Sequence, residues 1–216
     1  MRMTVPERPT TPGGRADHWN SVYDTRGEDG VSWYQAVPAI TLALLDLLGI
    51  GRDAAAIDIG GGASVVVDHL LARQFTNISV LDVSTVALDS ARARLGAGAE
   101  RVTWLHRDIF EWTPEPVFDL WHDRAVFHFL IDEDERHAYL GKLRSGLAPG
   151  GRAIVATFDV DGPTHCSGLP VMRYRPADLA LVFAPHLEPV TSRREEHVTP
   201  AGLVQPFTWV ALASAG

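Results

Sequence analysis

The chain has one cysteine, Cys166, among 216 residues. No intramolecular disulfide can form, which points to a reducing, cytoplasmic compartment. No apolar run reaches the roughly 18 residues that a membrane helix needs. The opening stretch, MRMTVPERPTTPGG, holds none of the apolar core of a secretory signal. Positive charge is not in excess: 19 Lys and Arg stand against 27 Asp and Glu, a net charge of −8. Such a chain repels phosphate backbones, which argues against nucleic acid as a partner. Nothing resembles paired Cys-x-x-Cys or His-Glu-x-x-His spacing, so no metal site is expected. Internal repeats are absent, and low complexity is confined to the N-terminal stretch.

What is present is a globular balance of 46% apolar and 21% charged residues, at a length that suits one domain. Residues 1–14 carry three prolines and Gly13-Gly14, and read as a flexible tail. Order is expected from about Ala16, with a single domain over 15–216. Trp19 and Tyr23, four residues apart, share one face of a short helix over 17–23. A helix over 38–48 lines up Ile40, Leu44, Leu45 and Leu48 and stops at Gly49. Strands then alternate with helices: strands over 54–59, 78–81, 102–105, 118–121 and 152–158, and helices over 63–73, 84–95 (capped by Ser84) and 133–147. That alternation implies a parallel sheet covered by helices on both faces. After a short helix over 176–184, two extended runs, 187–198 and 203–213, have no helix between them and should pair antiparallel. The expected fold is α/β, a Rossmann-like doubly wound sheet of five parallel strands plus a C-terminal antiparallel hairpin.

The segment Asp58-Ile59-Gly60-Gly61-Gly62-Ala63-Ser64 follows the first alternating strand. Glycines at that point let the backbone turn tightly and let a ligand approach closely. Asp82 lies 22 residues beyond Gly60, at the end of the next strand, where an acid can accept hydrogen bonds from a ribose. The dinucleotide fingerprint fails at its last position, Val65, where Gly or Ala is needed for close packing; this counts against a nicotinamide oxidoreductase. A phosphate loop with Gly-Lys-Ser/Thr is also missing. The pattern acid-x-Gly-x-Gly-x-Gly/Ser does fit, and Asp58 suits a ligand with positive charge.

On these residues, and on four further motifs in register, the chain resembles the class I S-adenosylmethionine-dependent methyltransferases from Trp19 to about Ala213. The further motifs are Asp82, Asp108-Ile109, the run from Phe118 to Arg124, and Leu147-Ala148-Pro149-Gly150-Gly151. The resemblance implies S-adenosyl-L-methionine as cofactor and S-adenosyl-L-homocysteine as product. It places Asp58, Gly60, Gly61 and Gly62 around the amino acid part of the cofactor, Asp82 at the ribose, Val83 beside the adenine, and Asp108 with Ile109 at the adenine amine. Asp123, at the active-site end of the fourth strand, joins this set. His18-Trp19-Asn20-x-x-Tyr23 and Val31-Ser32-Trp33-Tyr34 resemble the N-terminal segment that covers the cofactor in small bacterial enzymes, giving a lid over 15–37. Trp33 and Tyr23 are its candidates for a cation–π contact with the sulfonium.

Two features depart from the family pattern. Ser64 stands where a third glycine is commonest. His122-Asp123-Arg124 is not the Asn/Asp-Pro-Pro-Tyr signature of enzymes that methylate amino groups of bases or Gln, which argues against those substrates. The Asp-Arg pair is closer to the thiopurine methyltransferase and tellurite-resistance type.

Candidate catalytic residues follow. Arg124 either attracts an anionic acceptor, orients Asp123, or makes an ordinary ion pair. His122 and His128 are candidate general bases, or satisfied structural histidines. The long Gly/Pro-punctuated loop over 159–174 reads as a lid or binding loop. In it, His165, Cys166 and Arg173 are candidate substrate contacts. The expected activity is methyl transfer to a small-molecule nucleophile, with a thiol, selenol or related chalcogen first and O- or N-acceptors open. The alternatives are a protein lysine methyltransferase and a non-catalytic cofactor-binding protein. A monomer or homodimer is expected.

Overall fold

The computed structural model describes residues 8–115, 117–184 and 186–214. Residues 1–7 of the expected tail lie outside them. The rest of that stretch is not all tail: α1 (Pro12–Arg26) starts within it. Thr11 accepts a hydrogen bond from the Gly14 N–H, and Pro12 supplies a preset φ at the first turn. Residues that signal flexibility in isolation thus make a helix start, because a cap and a proline precede apolar residues that can pack. The helix docks through Asn20, whose side-chain oxygen accepts from the Ser84 hydroxyl and the Val86 N–H. α2 (Ala39–Leu48) ends on Gly49, in the left-handed region with φ 66°.

The alternating segment forms β1 (Ala55–Ile59), α3 (Val66–Ala72), β2 (Asn77–Asp82), α4 (Thr85–Leu95), β3 (Val102–His106), β4 (Phe118–Arg124), α5 (Glu133–Gly146) and β5 (Leu147–Phe158). Then come β6 (His165–Cys166), β7 (Leu169–Pro170), α6 (Pro176–Phe183), β8 (Glu188–Val198) and β9 (Val204–Ala213). The main sheet has the order β3-β2-β1-β4-β5-β9-β8. Neighbours among β1 to β5 run parallel, while β9 is antiparallel to β5 and to β8. This is the expected doubly wound sheet with a terminal hairpin. Ser84 caps α4 by accepting from the Ala87 N–H. Strand order reverses between β1 and β4, which opens a crevice at their carboxyl ends.

Three differences from expectation bear on the site. β5 begins at Leu147 and carries Pro149-Gly150-Gly151 within it, across an irregular register between Phe118 and Leu120. The loop after β5 contains a small hairpin, Cys166 pairing with Leu169. Most consequential, β4 continues through Arg124. Successive residues of a strand point to opposite faces. One face packs Ala56, Val80, Leu120 and Ile154 under α2, α3 and α4; the other packs Ile57, Trp121 and Val155 under α5 and α6.

The Asp123 side chain therefore points toward α5, away from the crevice, and is not among the residues lining the cavity, contrary to its expected place beside the cofactor. It accepts from the Tyr139 hydroxyl at 2.5 Å and from the Val126 N–H at 2.9 Å. Burial pushes its pKa up to about 6 even with these donors. Because the folded pKa lies above the free value of 3.8, this carboxyl costs stability as pH rises through that window. Tyr139→Phe removes a donor to the ionised form, a loss of about 1.5–3 kcal/mol. Thermal melts should therefore show a larger drop for this variant at pH 8 than at pH 5. Equal drops at both would exclude an ionised Asp123.

Candidate active site

The chain leaves β1 at Gly60 with φ 64°, and the Gly60 N–H donates to the Leu81 carbonyl at 2.7 Å. A Cβ at Gly60 would overlap Val126 Cγ2. One at Gly61 would lie 2.7 Å from Asp58 Oδ2, and one at Gly62 2.7 Å from Asp82 Oδ2. Side chains are excluded by the neighbours, so the loop presents bare backbone. Gly60 and Gly61 line a cavity at the switch point, and Gly62, packed against Asp82 and Ala87, is not among its lining residues.

Asp58 and Asp82 border the same cavity. Asp82 is 7% exposed, and Oδ1 accepts from the Ser84 N–H at 2.7 Å. Burial first, and then the charge of Asp58, lift its pKa to about 7 against the pull of the Ser84, Val83 and Gly62 N–H groups. Asp58 Oδ1 accepts from His122 Nδ1 at 2.6 Å, a contact that follows from their pairing across β1 and β4. A carboxylate only accepts, so Nδ1 carries a proton, and the other ring nitrogen is hydrogen-bonded to the Thr41 hydroxyl at 3.0 Å. Both nitrogens of His122 are thus engaged, one by Asp58 and the other by Thr41.

Beyond Asp82 the cavity wall continues through Val83, Asp108, Ile109 and Phe110. Asp108 accepts from Arg15 at 2.6 Å and from the Phe110 N–H at 2.9 Å. The roof is the N-terminal segment. Trp33 meets Trp19 and Tyr23 edge to face, at centroid distances of 5.8 and 6.1 Å. Arg94 buckles this segment to the glycine loop: it bonds Glu28 and Asp68 and donates to the Ala63 and Ser64 carbonyls.

At the opposite end lies Arg124. One guanidinium nitrogen donates to the Trp33 carbonyl at 2.7 Å, and the group stacks on Phe207 with its central carbon 4.5 Å from the ring centroid. Burial lowers its pKa to about 10. Cys166 is the one residue of the 164–174 stretch that reaches the cavity, and burial pushes its thiol up to about 12.

The remaining candidates fall elsewhere. His128 is fully buried outside the cavity lining, and burial, followed by the charge of Arg124, lowers its pKa to about 3. A ring sealed in this way stays neutral and is not among the residues lining the cavity. His165 is exposed beside Thr164, because alternation in β6 turns Cys166 inward instead. Arg173 fastens the loop by donating to the Val160 and Gly162 carbonyls. Conversely, Arg15, Glu28, Gln35 and Phe129 line the cavity without any sequence signal that singled them out. They arrive from segments whose position over the sheet depends on α1 docking.

The donor set fits S-adenosylmethionine. Bare glycine backbone and Asp58 suit the charged amino acid part, Asp82 is a desolvated acceptor for ribose hydroxyls, and Ile109 and Phe110 give apolar walls for a base. A family model described as a methyltransferase domain matches residues 57–153. Nodulation protein S of Rhizobium tropici is 32% identical over 111 residues, 51% of this chain and 46% of that protein. Thiocyanate methyltransferase 1 of Brassica oleracea is 32% identical over 139 residues, 62% of this chain and 59% of that one. The chain spans about half the length of these curated relatives. The crystal structure of Burkholderia thailandensis 1,6-didemethyltoxoflavin-N1-methyltransferase, with bound 1,6-didemethyltoxoflavin and S-adenosylhomocysteine, has a similar fold. It matches with a TM-score of 0.71 at 21% identity, over 98% of this chain and 93% of that one. Over residues 57–153 the chain is similar to methyltransferase domains, and its fold and glycine-loop geometry agree with that likeness.

Proposed function

We propose that the chain transfers a methyl group from S-adenosyl-L-methionine to a small-molecule nucleophile, with a thiol, selenol or related chalcogen as first choice. The observation that carries this is the bare Gly60-Gly61 backbone beside a desolvated Asp82, in a cavity roofed by α1 and Trp33. Gly60, Gly61 and Asp58 hold the amino acid part of the cofactor, Asp82 the ribose, and Val83, Asp108 and Ile109 the adenine. When bound, the cofactor supplies a methyl group already activated on a sulfonium. The work of the protein is therefore positioning and exclusion of water. His122 keeps Asp58 aimed, and the rings of Tyr23 and Trp33 favour a cation next to them. The roof also favours a small acceptor over a protein lysine, which needs an open groove.

We place this activity in the cytoplasm, in a monomer or homodimer working without nucleic acid. No helix among the described residues is long and apolar enough to cross a membrane. Calorimetric titration with S-adenosylmethionine, S-adenosylhomocysteine and NADH tests the reading. Binding of the first two and not the third is expected. NADH binding in their place, or folded protein that takes none of the three, overturns it.

A further inference from the structure

Glu28 enters the cavity wall from the turn that follows α1. Its contacts fix where the carboxylate sits. One oxygen accepts from the Ser90 hydroxyl at 2.9 Å and from a terminal nitrogen of Arg94. That nitrogen also donates to the Ala63 carbonyl at 3.0 Å. The other terminal nitrogen donates to the Ser64 carbonyl at 2.9 Å and to Asp68 at 2.8 Å, and Nε donates to the second Asp68 oxygen at 3.0 Å. A guanidinium has five N–H bonds, and these contacts use them all. A group held on so many sides keeps one orientation, so Arg94 pins the Glu28 carboxylate beside the carbonyls that leave the glycine loop. Glu28 therefore borders the cavity at its glycine-loop end, together with Gly60, Gly61, Ala63 and Ser64. The adenine end is elsewhere: Arg15, which holds Asp108, stands about 16 Å back along α1 from the last residue of that helix.

Two observations make this carboxylate a receptor. The second oxygen of Glu28 has no hydrogen-bond partner among the described residues. The local charge does not balance either, because the single positive charge of Arg94 faces two acids, Glu28 and Asp68. Asp68 is closed, since Arg94 takes both of its oxygens. One unit of negative charge is left over, and the acid that lines the cavity is the one with an open oxygen. Such a position suits a cation that donates hydrogen bonds.

We infer that Glu28 is a further binding residue for the cofactor, accepting a hydrogen bond from the α-ammonium of its amino acid part, and that Arg94 is the positioning residue that aims it. This rests on the S-adenosylmethionine reading above. The sulfonium is the competing cation. It has no N–H to donate, and the rings of Tyr23 and Trp33 already offer it favourable surroundings. Because Glu28 rides on the segment after α1, the same contact lets the amino acid part of the ligand draw residues 27–34 onto the glycine loop. A ligand without that part leaves the segment to Arg94 alone.

The test compares three ligands by calorimetry on the full chain. S-adenosylhomocysteine carries the ammonium, S-adenosylmethionine carries ammonium and sulfonium, and 5′-methylthioadenosine carries neither. Glu28→Gln keeps the shape and removes the charge. It should weaken the first two alike by about 10-fold, the loss of a charge-assisted hydrogen bond, and change 5′-methylthioadenosine by less than about twofold. Arg94→Met should show the same dependence on ligand, and Glu28→Gln added to it should cost little more. If Arg94→Met does not fold, the Glu28→Gln data decide alone. Amide exchange gives a second readout. In the parent, S-adenosylhomocysteine should slow exchange over 27–34 and 5′-methylthioadenosine should not; in Glu28→Gln the two should act alike.

Equal losses for S-adenosylhomocysteine and 5′-methylthioadenosine reduce Glu28 to a structural clasp and overturn the inference. So does a loss confined to S-adenosylmethionine, which assigns Glu28 to the sulfonium, or unchanged affinity for all three. Equal protection of 27–34 by both probes in the parent overturns it as well. A parent that binds none of the three ligands sinks the S-adenosylmethionine reading itself, a distinguishable failure.

Discussion

Asp82→Asn is expected to stabilise the unliganded protein above pH 7 while weakening S-adenosylhomocysteine binding about 30-fold, the loss of a hydrogen-bonded charge. The two effects share one cause. Asp82 is 7% exposed, and burial followed by the neighbouring charge of Asp58 raises its pKa from 3.8 to about 7. The folded state therefore holds this proton more tightly than the unfolded state. The stability it contributes is complete below the unfolded pKa and is lost as pH rises through the folded value. At pH 8 the ionised carboxylate costs on the order of 4 kcal/mol relative to a neutral side chain of the same shape. Asparagine keeps an oxygen for the Ser84 N–H, which Asp82 Oδ1 now accepts at 2.7 Å, and carries no charge to desolvate. Melting curves of parent and variant should converge below pH 4, separate from there to about pH 7 and run level above it, with the variant higher. Coincident curves at pH 8, or unchanged affinity in calorimetry, would remove Asp82 from the cofactor site. A group that is costly when empty and useful when bound is the expected signature of a binding acid.

Gly60→Ala should abolish cofactor binding and lower the melting temperature. Gly60 sits at φ 64°, where a side chain costs about 1–2 kcal/mol. A Cβ there would also overlap Val126 Cγ2, and overpacking of this kind adds about 1–3 kcal/mol. For a domain of this size the sum corresponds to a drop of about 5–15 °C. The two contributions separate in a double variant. Val126→Ala removes the overlapped methyl, so the pair should recover the packing part and leave the backbone part. Purely additive losses would place the origin of the effect outside the Gly60–Val126 contact. Binding should return only partly, because the glycine loop must still turn against its preferred backbone angles.

Local signals in the chain were enough for the framework. The alternation of apolar strands with amphipathic helices, the Ser84 cap and the missing helix between the last two strands all depend on near neighbours, and each appears in the structure. The run from Asp58 to Ser64 and Asp82 could be placed for the same reason: a strand end followed by glycines is a short-range pattern. Reading residues 9–14 as tail missed that Thr11 and Pro12 start a helix, since that helix gains its stability from docking Asn20 on the start of α4.

The active-site end of β4 shows where local reading stops. His122, Asp123 and Arg124 are consecutive, and composition alone offers all three as site residues. Three more residues of strand pairing decide among them: alternation sends Asp123 under Tyr139, while His122 and Arg124 turn to the face that carries Asp58. His122 is then consumed by Asp58 and Thr41, and Arg124 is left with unanswered nitrogens. His165 and Cys166 divide in the same way, through a two-residue strand too short to announce itself in sequence. The sequence by itself determined the sheet, its order of elements and the glycine loop, because these follow from periodicity and backbone preference over a few residues. Which titratable groups face the cavity, and which remain free there, was decided only by the tertiary structure, because burial and hydrogen-bond partners come from segments far apart in the chain.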